Sequence, residues 1–248
     1  MRIILAPAKK MNVDLDTLEP LGLPKFIDKT EEILSYLLSL SNEELQKLWS
    51  CNDKIAEQNI ERLAKMDLRN NLTPAVLAYE GIAYQYMAPS VFEFGQFDYV
   101  QEHLRILSGF YGVLKPMDGV TPYRLEMQAK AKVSGTKNLY DYWGRSLYEE
   151  VRDESGVIIN LASKEYSKCI EKYLTDKDKF VTCEFVERHN GKFVTKATYA
   201  KMARGEMVRF MAENKIENAG DIKNFDRLNY KFLPYFSDEN NYLFERTP

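Results

Sequence analysis

The sequence predicts an α/β protein, a single compact domain over residues 1–248 in which helices surround a mixed β-sheet. Two short apolar runs, Arg2–Ala6 and Val157–Leu161, have the length and composition of buried strands. The dipeptide Asn190-Gly191 separates two strand-like segments and is typical of a two-residue hairpin turn. The first hundred residues instead show helical periodicity, and no regular alternation of strands and helices follows. A mixed sheet therefore fits better than a βαβ repeat.

The N-terminal elements follow from apolar spacing and capping residues. The run Arg2–Ala6 is stopped by Pro7, and residues 30–40 carry apolar side chains at helical spacing. Ser41 and Glu44 match a capping box at the start of a second helix. We expect a third helix over 53–66 and a helix start at 73–74, where a threonine precedes a proline.

The second half alternates between both element types. Residues 98–107 place Val100, Leu104 and Leu107 on one helical face, so we expect a helix that ends near Ser108. Residues 180–188 and 192–198 flank the hairpin turn, and 201–215 reads as a helix. Two aromatic-rich segments, 230–236 and 242–244, are expected to add closing strands.

Composition excludes several classes of protein. The chain starts with only a short apolar run, which predicts a cytoplasmic protein rather than a secreted one. No apolar run approaches the ~18 residues of a membrane span, so we expect no membrane association. Cys51, Cys169 and Cys183 form no CxxC pair, and only His103 and His189 would complement them. We therefore expect reduced thiols, no metal site and no cofactor.

Positive charge is concentrated in two parts of an otherwise acidic chain. The net charge is −3, yet residues 101–146 hold seven Lys or Arg against four Asp or Glu. Residues 195–215 hold five against two. If the fold brings these two blocks together, they form a local positive surface suited to phosphate groups.

A glycine-rich turn gives the first candidate site. In the stretch 103–118, an expected helix is followed by Gly109 and Gly112 and then by a second short helix. Glycines in such a turn let backbone amides approach a phosphate, as helix–hairpin–helix DNA-binding motifs do. Those motifs usually have one residue between the glycines, whereas two stand here. The alternative is a structural turn between packed helices.

Three further segments carry polar residues that suit a binding site. Arg124 has the forked geometry for a phosphate, although an internal pair with Glu126 is the alternative. The stretch 160–166 follows a buried strand, where functional groups of open α/β sheets lie, but Ser163 also suits a helix cap. Lys201 and Arg204 are three residues apart and share one helix face, either solvated or phosphate-binding.

These segments together resemble the YaaA family of bacterial peroxide-stress proteins. The matching segments span residues 1 to about 236 and are 6–9, 103–118, 122–127, 139–144, 159–163 with 165–166, and 200–205. One departure is Ala6, where the family often has serine, so no catalytic hydroxyl is assigned there. The resemblance implies a positively charged cleft, a helix–hairpin–helix-like element and DNA binding. It also implies peroxide resistance through lower free intracellular iron.

The leading hypothesis is a stress protein that binds DNA with low sequence specificity through a basic cleft and protects the cell indirectly. The runner-up is an enzyme acting on a nucleotide or another small phosphorylated ligand; a structural or partner-binding protein is the third alternative. No catalytic residue is assigned. The candidates for binding DNA or phosphate are Lys9, Arg105, Ser108, Gly109, Tyr111, Gly112, Lys115, Arg124, Lys201 and Arg204. The further polar candidates for the cleft are Tyr123, Glu126, Asn160, Ser163, Glu165 and Tyr166.

Overall fold

An eight-stranded mixed sheet forms the centre of the computed structural model, which describes residues 1–247. In chain order the strands are β1 (Arg2–Leu5), β2 (Lys10–Met11), β3 (Thr73–Pro74), β4 (Tyr79–Glu80), β5 (Leu104–Ser108), β6 (Gly112–Leu114), β7 (Gly119–Val120), β8 (Val157–Asn160), β9 (Lys179–His189), β10 (Lys192–Val194), β11 (Tyr230–Phe232) and β12 (Asn241–Arg246). The central strands are continuous apolar runs because helices and loops cover both faces of the sheet.

The helices surround this sheet, as the sequence predicts for an α/β domain. They are α1 (Ile27–Leu38), α2 (Asn42–Trp49), α3 (Asp53–Ala64), α4 (Ala75–Ala78), α5 (Ile82–Met87), α6 (Phe94–His103), α7 (Leu139–Trp143), α8 (Ser146–Val151), α9 (Lys164–Glu171) and α10 (Ala197–Glu213). Short 3₁₀ turns add Pro89–Val91, Val133–Gly135, Ala219–Asn224, Arg227–Asn229 and Pro234–Phe236. The capping box at α2 is confirmed, with Ser41 and Glu44 in both of its hydrogen bonds.

The order of strands places a topological switch point next to β1. The sheet runs β11-β12-β9-β8-β1-β5-β6, with β10 paired to β9. β1 is parallel to β5 on one side and to β8 on the other. From β1 the chain next enters this sheet at β5, whereas from β8 it continues to β9 on the opposite side. Open α/β sheets bind ligands in the crevice that such a reversal leaves at the carboxyl ends of the strands.

The predicted hairpin is confirmed. β9 and β10 are antiparallel, with His189 opposite Lys192. Asn190 and Gly191 both have positive φ, 49° and 76°, as a type I′ turn requires. At the earlier threonine–proline pair the helix starts one residue later than expected, since Thr73–Pro74 pairs with β7 and α4 begins at Ala75.

The predicted helix–hairpin–helix-like element is wrong at residues 103–118. α6 ends at His103, and β5 and β6 then form an antiparallel β-hairpin. The spacing of Leu104 and Leu107 fits a helix, but all five residues of β5 are buried, as in a central strand. Pairing with β1 decides the outcome, and this pairing is a tertiary contact that local spacing does not show.

One close helix contact fixes the position of α10. α10 crosses α5 at Gly205, where an added Cβ would lie 1.8 Å from the backbone oxygen of Ala83. Only glycine permits this approach without a shift of one of the two helices. The contact matters for the site because α10 carries Lys201 and Arg204.

Candidate functional site

A cavity of about 420 Å³ lies at the carboxyl ends of β1 and β8, at the switch point of the sheet. We call it the switch-point cleft. The loop after β1, the loop from β8 into α9, the start of α5, the segment 123–126 and one face of α10 form its walls. Its lining residues are Leu5, Ala6, Pro7, Ala8, Lys9, Lys10, Glu80, Gly81, Ile82, Ala83, Tyr84, Tyr123, Arg124, Leu125, Glu126, Leu161, Ser163, Glu165, Tyr166, Lys201 and Arg204.

The cleft brings together side chains from both basic parts of the chain. Arg124 comes from the block 101–146, and Lys201 and Arg204 come from the block 195–215. The sequence candidates that line the cleft are Lys9, Tyr123, Arg124, Glu126, Ser163, Glu165, Tyr166, Lys201 and Arg204. Groups far apart in sequence meet here because the ends of parallel strands share one edge of a sheet.

The glycine turn does not line the cleft, so the phosphate contact expected at Gly109 and Gly112 stays a prediction that the cleft does not support. A Cβ on Gly109 would lie 2.7 Å from the backbone oxygen of Leu125, which shows that another part of the chain already covers this turn. Gly112 has a φ of +77° and packs against Trp143. The Tyr111 hydroxyl accepts a hydrogen bond at 3.1 Å from the amide of Thr121, and the Tyr111 side chain is fully buried.

Two basic candidates near that turn also lie elsewhere. Arg105 sits near the amino end of β5, away from the switch point, and its Nη1 donates to the backbone oxygen of Leu104 at 2.8 Å. Burial of its side chain lowers the pKa of Arg105 to about 10. Lys115 is exposed beyond β6, and its backbone amide donates to the Asp118 carboxylate at 2.8 Å. The expected convergence of Arg105 on the cleft is therefore wrong.

Two other candidates, Ser108 and Asn160, form hydrogen bonds that hold the walls of the cleft. Ser108 is fully buried, and its hydroxyl forms a 2.7 Å hydrogen bond with the Tyr123 hydroxyl. Asn160 accepts the amide of Ala162 at 2.9 Å and donates to Thr182 at 3.2 Å. Ser108 therefore holds a residue that lines the cleft, and Asn160 holds the backbone between the lining residues Leu161 and Ser163; neither side chain lines the cleft itself.

Two arginines in the cleft have a buried side-chain N–H group without a hydrogen-bond partner in residues 1–247. The Arg124 side chain is 13% exposed and donates through Nη2 to Glu126 at 3.3 Å, while its buried Nε has no partner in residues 1–247. The Nε of Arg204 is likewise buried and unpartnered within that part of the chain. Burial lowers the pKa of Arg204, yet a guanidinium remains charged near neutrality. A guanidinium carries five N–H donors, and leaving them unpaired in a desolvated place is costly.

The carboxylates of the cleft fall into two environments. One oxygen of Glu126 lies 2.8 Å from Lys9 Nζ in an ion pair and accepts a hydrogen bond from Arg124 at 3.3 Å, so this carboxylate is paired. The Glu165 carboxylate accepts a hydrogen bond only from the backbone amide of Gln128, at 3.2 Å, in the part of the chain described. Desolvation, reinforced by the nearby charge of Glu126, raises the pKa of Glu165. Such a carboxyl group is suited to exchanging a proton with a bound ligand.

Buried tyrosines form the apolar side of the cleft. The ring of Tyr123 stacks on Phe110 with centroids 4.9 Å apart, and desolvation raises the pKa of Tyr123 to about 12. Desolvation also raises the pKa of Tyr166 well above its usual range. The Tyr84 hydroxyl donates to the backbone oxygen of Ala6 at 3.1 Å and holds the loop that follows β1. These phenols are neutral at physiological pH and can only donate or accept hydrogen bonds.

The amino end of α9 opens into the cleft. Ser163 occupies the N-cap position, as the helix-cap alternative predicts, but its side chain makes no capping hydrogen bond. The hydroxyl lines the cleft instead, beside the first-turn residue Glu165. A helix amino terminus carries partial positive charge, which adds to the cationic side chains around it.

A second cavity of about 860 Å³ adjoins the cleft. Lys9, Arg124 and Glu126 line both cavities. The second cavity adds the cations Lys47, Lys130 and Lys132 and the carboxylate Glu44 to its walls. It also borders Trp49, whose buried Nε1 has no hydrogen-bond partner among the residues described.

Helix α5 supplies one wall of the cleft, and none of its residues was predicted from the sequence to belong to a site. Gly81, at the N-cap of α5, lies so close to the loop after β1 that an added Cβ would be 2.8 Å from the Cβ of Ala8. Lys10 and Glu80 join the two segments through a 2.7 Å ion pair. A helix of six residues with few polar groups gives no chemical signal in the sequence, and only its glycine indicated a special position.

Residues 1–247 contain neither a helix that could span a membrane nor a cluster of metal-binding side chains. None of the helices is both long enough and apolar enough to cross a membrane in residues 1–247. Over the same range, no group of three or more His, Cys, Asp or Glu side chains is arranged to hold a metal ion.

Comparison with known proteins identifies the family. A family model described as "Peroxide stress protein YaaA" matches residues 1–235. A protein named "UPF0246 protein" from Agathobacter rectalis is 69% identical over 246 residues, covering 99% of each chain. Proteins of the same name from Lachnoclostridium phytofermentans and Pediococcus pentosaceus are 56% and 50% identical, covering 98% of this chain and 96% and 97% of theirs. With the cleft residues embedded in this whole-chain match, the chain belongs to the YaaA family of peroxide stress proteins.

Proposed function

We propose that this chain acts in peroxide-stress resistance by binding a phosphorylated ligand of nucleotide size in the switch-point cleft. The observation that carries the proposal is the pair Arg124 and Arg204, which face one cavity with buried, unpartnered Nε donors. Desolvated guanidinium groups are stabilised by phosphate or carboxylate oxygens, which accept two parallel hydrogen bonds. Such a partner from outside the chain accounts for the cost of burying them.

The balance of charge in the cleft favours the same class of ligand. Five cationic and three anionic side chains line it, and two of the cations, Lys201 and Arg204, belong to no ion pair within residues 1–247. The apolar tyrosine side and the 420 Å³ volume suit a base or another flat group attached to the phosphate. The two features together indicate a nucleotide rather than free phosphate.

The first prediction concerns Arg204. Replacing Arg204 with alanine is expected to weaken the binding of inorganic phosphate and nucleoside phosphates at least tenfold, about 1.4 kcal/mol or more. The reason is that its donors have no role in holding the described chain together. Isothermal titration calorimetry on the purified protein measures the change.

Arg209→Ala is the matched control. Arg209 lies five residues further along α10, pairs with Glu213 at 2.7 Å and does not line the cleft. Its removal changes the net charge equally and is expected to leave affinity within about twofold. If both variants lost the same amount of phosphate affinity, or if Arg204→Ala left phosphate binding unchanged, the cleft would not be the binding site.

We propose that protection from peroxide is indirect, through a lower level of free intracellular iron, and does not use the protein's own thiols. Desolvation raises the pKa of Cys169 and of Cys183 to about 12, so almost no thiolate is present at neutral pH. Since the thiolate is the reactive form, peroxide is expected to oxidise these buried side chains slowly.

The second prediction tests this point. A variant with Cys51→Ser, Cys169→Ala and Cys183→Ala is expected to restore peroxide resistance to a deletion strain as well as the wild type does. Colony survival after a peroxide pulse measures rescue, and immunoblotting and thermal melting check that the variant is expressed and folded. A folded variant that fails to rescue would show that thiol chemistry takes part.

DNA is the second candidate ligand, and the second cavity favours it. Lys47, Lys130 and Lys132 extend the positive surface beyond the cleft, along a second cavity of about twice its volume. The contacts would then come from these lysines rather than from the turn at Gly109. Calorimetry with a short duplex at several salt concentrations distinguishes the candidates, because phosphate contacts to DNA give a steep salt dependence.

A further inference from the structure

The Glu126 carboxylate lies where the switch-point cleft and the second cavity meet. Its side chain lines both cavities, as do those of Lys9 and Arg124. A single oxygen, Oε1, forms an ion pair with Lys9 Nζ at 2.8 Å and accepts a hydrogen bond from Arg124 Nη2 at 3.3 Å. Two cations from distant parts of the chain thus converge on one anionic oxygen.

The same geometry would hold a phosphate oxygen. Lys9 is 64% exposed and Arg124 has a buried Nε without a partner in the described chain, so both retain donors for a larger anion. A phosphate group carries up to two negative charges and three acceptor oxygens, whereas a carboxylate carries one charge and two oxygens. The phosphate is therefore the stronger partner for this pair of cations.

We propose that Lys9 and Arg124 form a second anion subsite, which Glu126 occupies until a phosphate group of the ligand displaces it. This inference rests on the proposed function, because it takes the Arg204 side of the cleft as the first anion subsite. When a phosphate group takes the place of the Glu126 carboxylate, the ligand extends from the switch-point cleft into the second cavity. The ligand class is then a molecule with at least two phosphate groups, one at each subsite.

The second cavity supports a ligand that extends past Glu126. Lys47, Lys130 and Lys132 line the second cavity but not the cleft, with Glu44 as the added carboxylate. A ligand confined to the cleft would leave these lysines without a role. A polyphosphorylated ligand gains a favourable interaction with each of them as it crosses the junction.

In this proposal Glu126 also lowers the affinity of the site for a polyphosphorylated ligand, and calorimetry can measure the difference. A carboxylate tethered to the site competes as a ligand at an effective concentration in the millimolar range. Replacement of Glu126 by glutamine keeps the size of the side chain and removes the competing charge. The Glu126→Gln protein is expected to bind inorganic tripolyphosphate about tenfold more tightly than the wild type in calorimetry.

Glu80→Gln is the matched control. Glu80 lines the same cleft and is also paired with a lysine, Lys10 at 2.7 Å, but it contacts neither Lys9 nor Arg124. Its replacement changes the net charge by the same amount, so it measures the general electrostatic effect. The gain for Glu80→Gln is expected to stay within about twofold. Adding Lys9→Ala to Glu126→Gln is expected to cancel the tenfold gain.

The results of these experiments test the second anion subsite independently of the proposed function. If tripolyphosphate fails to bind, or binds the Arg204→Ala protein as well as the wild type, both proposals are wrong. If binding depends on Arg204 but Glu126→Gln and Glu80→Gln give equal gains, only the second subsite is wrong. If thermal melting shows that the Glu126→Gln protein does not fold, Glu126→Asp replaces it. Aspartate keeps the charge but shortens the side chain, so the Glu126→Asp protein is expected to show part of the gain in tripolyphosphate affinity. Unchanged affinity in this variant would contradict the proposal.

Discussion

The Gly109→Ala protein is expected to be less stable than the wild type by about 2–3 kcal/mol. The new Cβ would lie 2.7 Å from the oxygen of Leu125, 2.9 Å from the carbonyl carbon of Glu126 and 3.0 Å from the amide nitrogen of Met127. These are backbone atoms, which cannot rotate away as a flexible side chain can. The Gly109 oxygen also accepts the indole N–H of Trp143 at 3.0 Å, so the turn is held from its other side.

Urea denaturation followed by circular dichroism measures this loss of stability. Gly22→Ala is the control, because a Cβ there meets nothing within 4 Å, and its stability is expected to stay within about 0.5 kcal/mol of the wild type. The displaced backbone directly follows Arg124, a cation of the cleft, so phosphate affinity is expected to fall as well. A Gly109→Ala protein of unchanged stability would show that the turn is open and would restore it as a possible phosphate contact.

Strands that combine an apolar run with a stop signal were predictable from the sequence. Pro7 ends the run of β1, and the aliphatic run of β8 stands between polar segments. The Asn190-Gly191 turn was predictable because positive φ at two successive residues requires such a dipeptide. In each case the local sequence and the tertiary structure favour the same conformation.

β5 shows where local reasoning fails. The segment Leu104–Ser108 has apolar residues three apart, which fits a helix, and it directly follows helix α6. Its identity as a strand comes from pairing with β1, about a hundred residues earlier, and with β6. Because this burial depends on distant partners, local spacing does not show that Arg105 lies buried in the sheet.

The site was partly predictable for a topological reason. Lys9 and Ser163 follow buried strands, and polar residues at that position gather at one edge of a parallel sheet. Lys201 and Arg204 could be placed on one helix face, but not against the cleft, because their approach depends on the glycine contact between α10 and α5. The pairing of Glu126 with Lys9 could not be read from residues so far apart in sequence.

The Gly205→Ala protein is expected to show the largest loss of stability of any variant considered, about 3 kcal/mol or more. In an isolated helix, alanine in place of glycine would add about 1 kcal/mol of stability. Here the added Cβ would lie 1.8 Å from the Ala83 oxygen and 2.7 Å from its carbonyl carbon, both backbone atoms of α5. Helix α10 must therefore move away from α5, and the buried contact between the two helices is lost.

This shift would also open the cleft, because α10 carries Lys201 and Arg204 while α5 forms the adjoining wall. We expect the midpoint of thermal unfolding to fall by about 10 °C and phosphate affinity to fall in the protein that remains folded. Gly95→Ala is the matched control, since this glycine also lies in a helix but an added Cβ meets its nearest atom only at 3.8 Å. That variant is expected to be as stable as the wild type or up to about 1 kcal/mol more stable. A Gly205→Ala protein that melts and binds phosphate like the Gly95→Ala protein would contradict the close contact and, with it, the placement of Arg204 against the cleft.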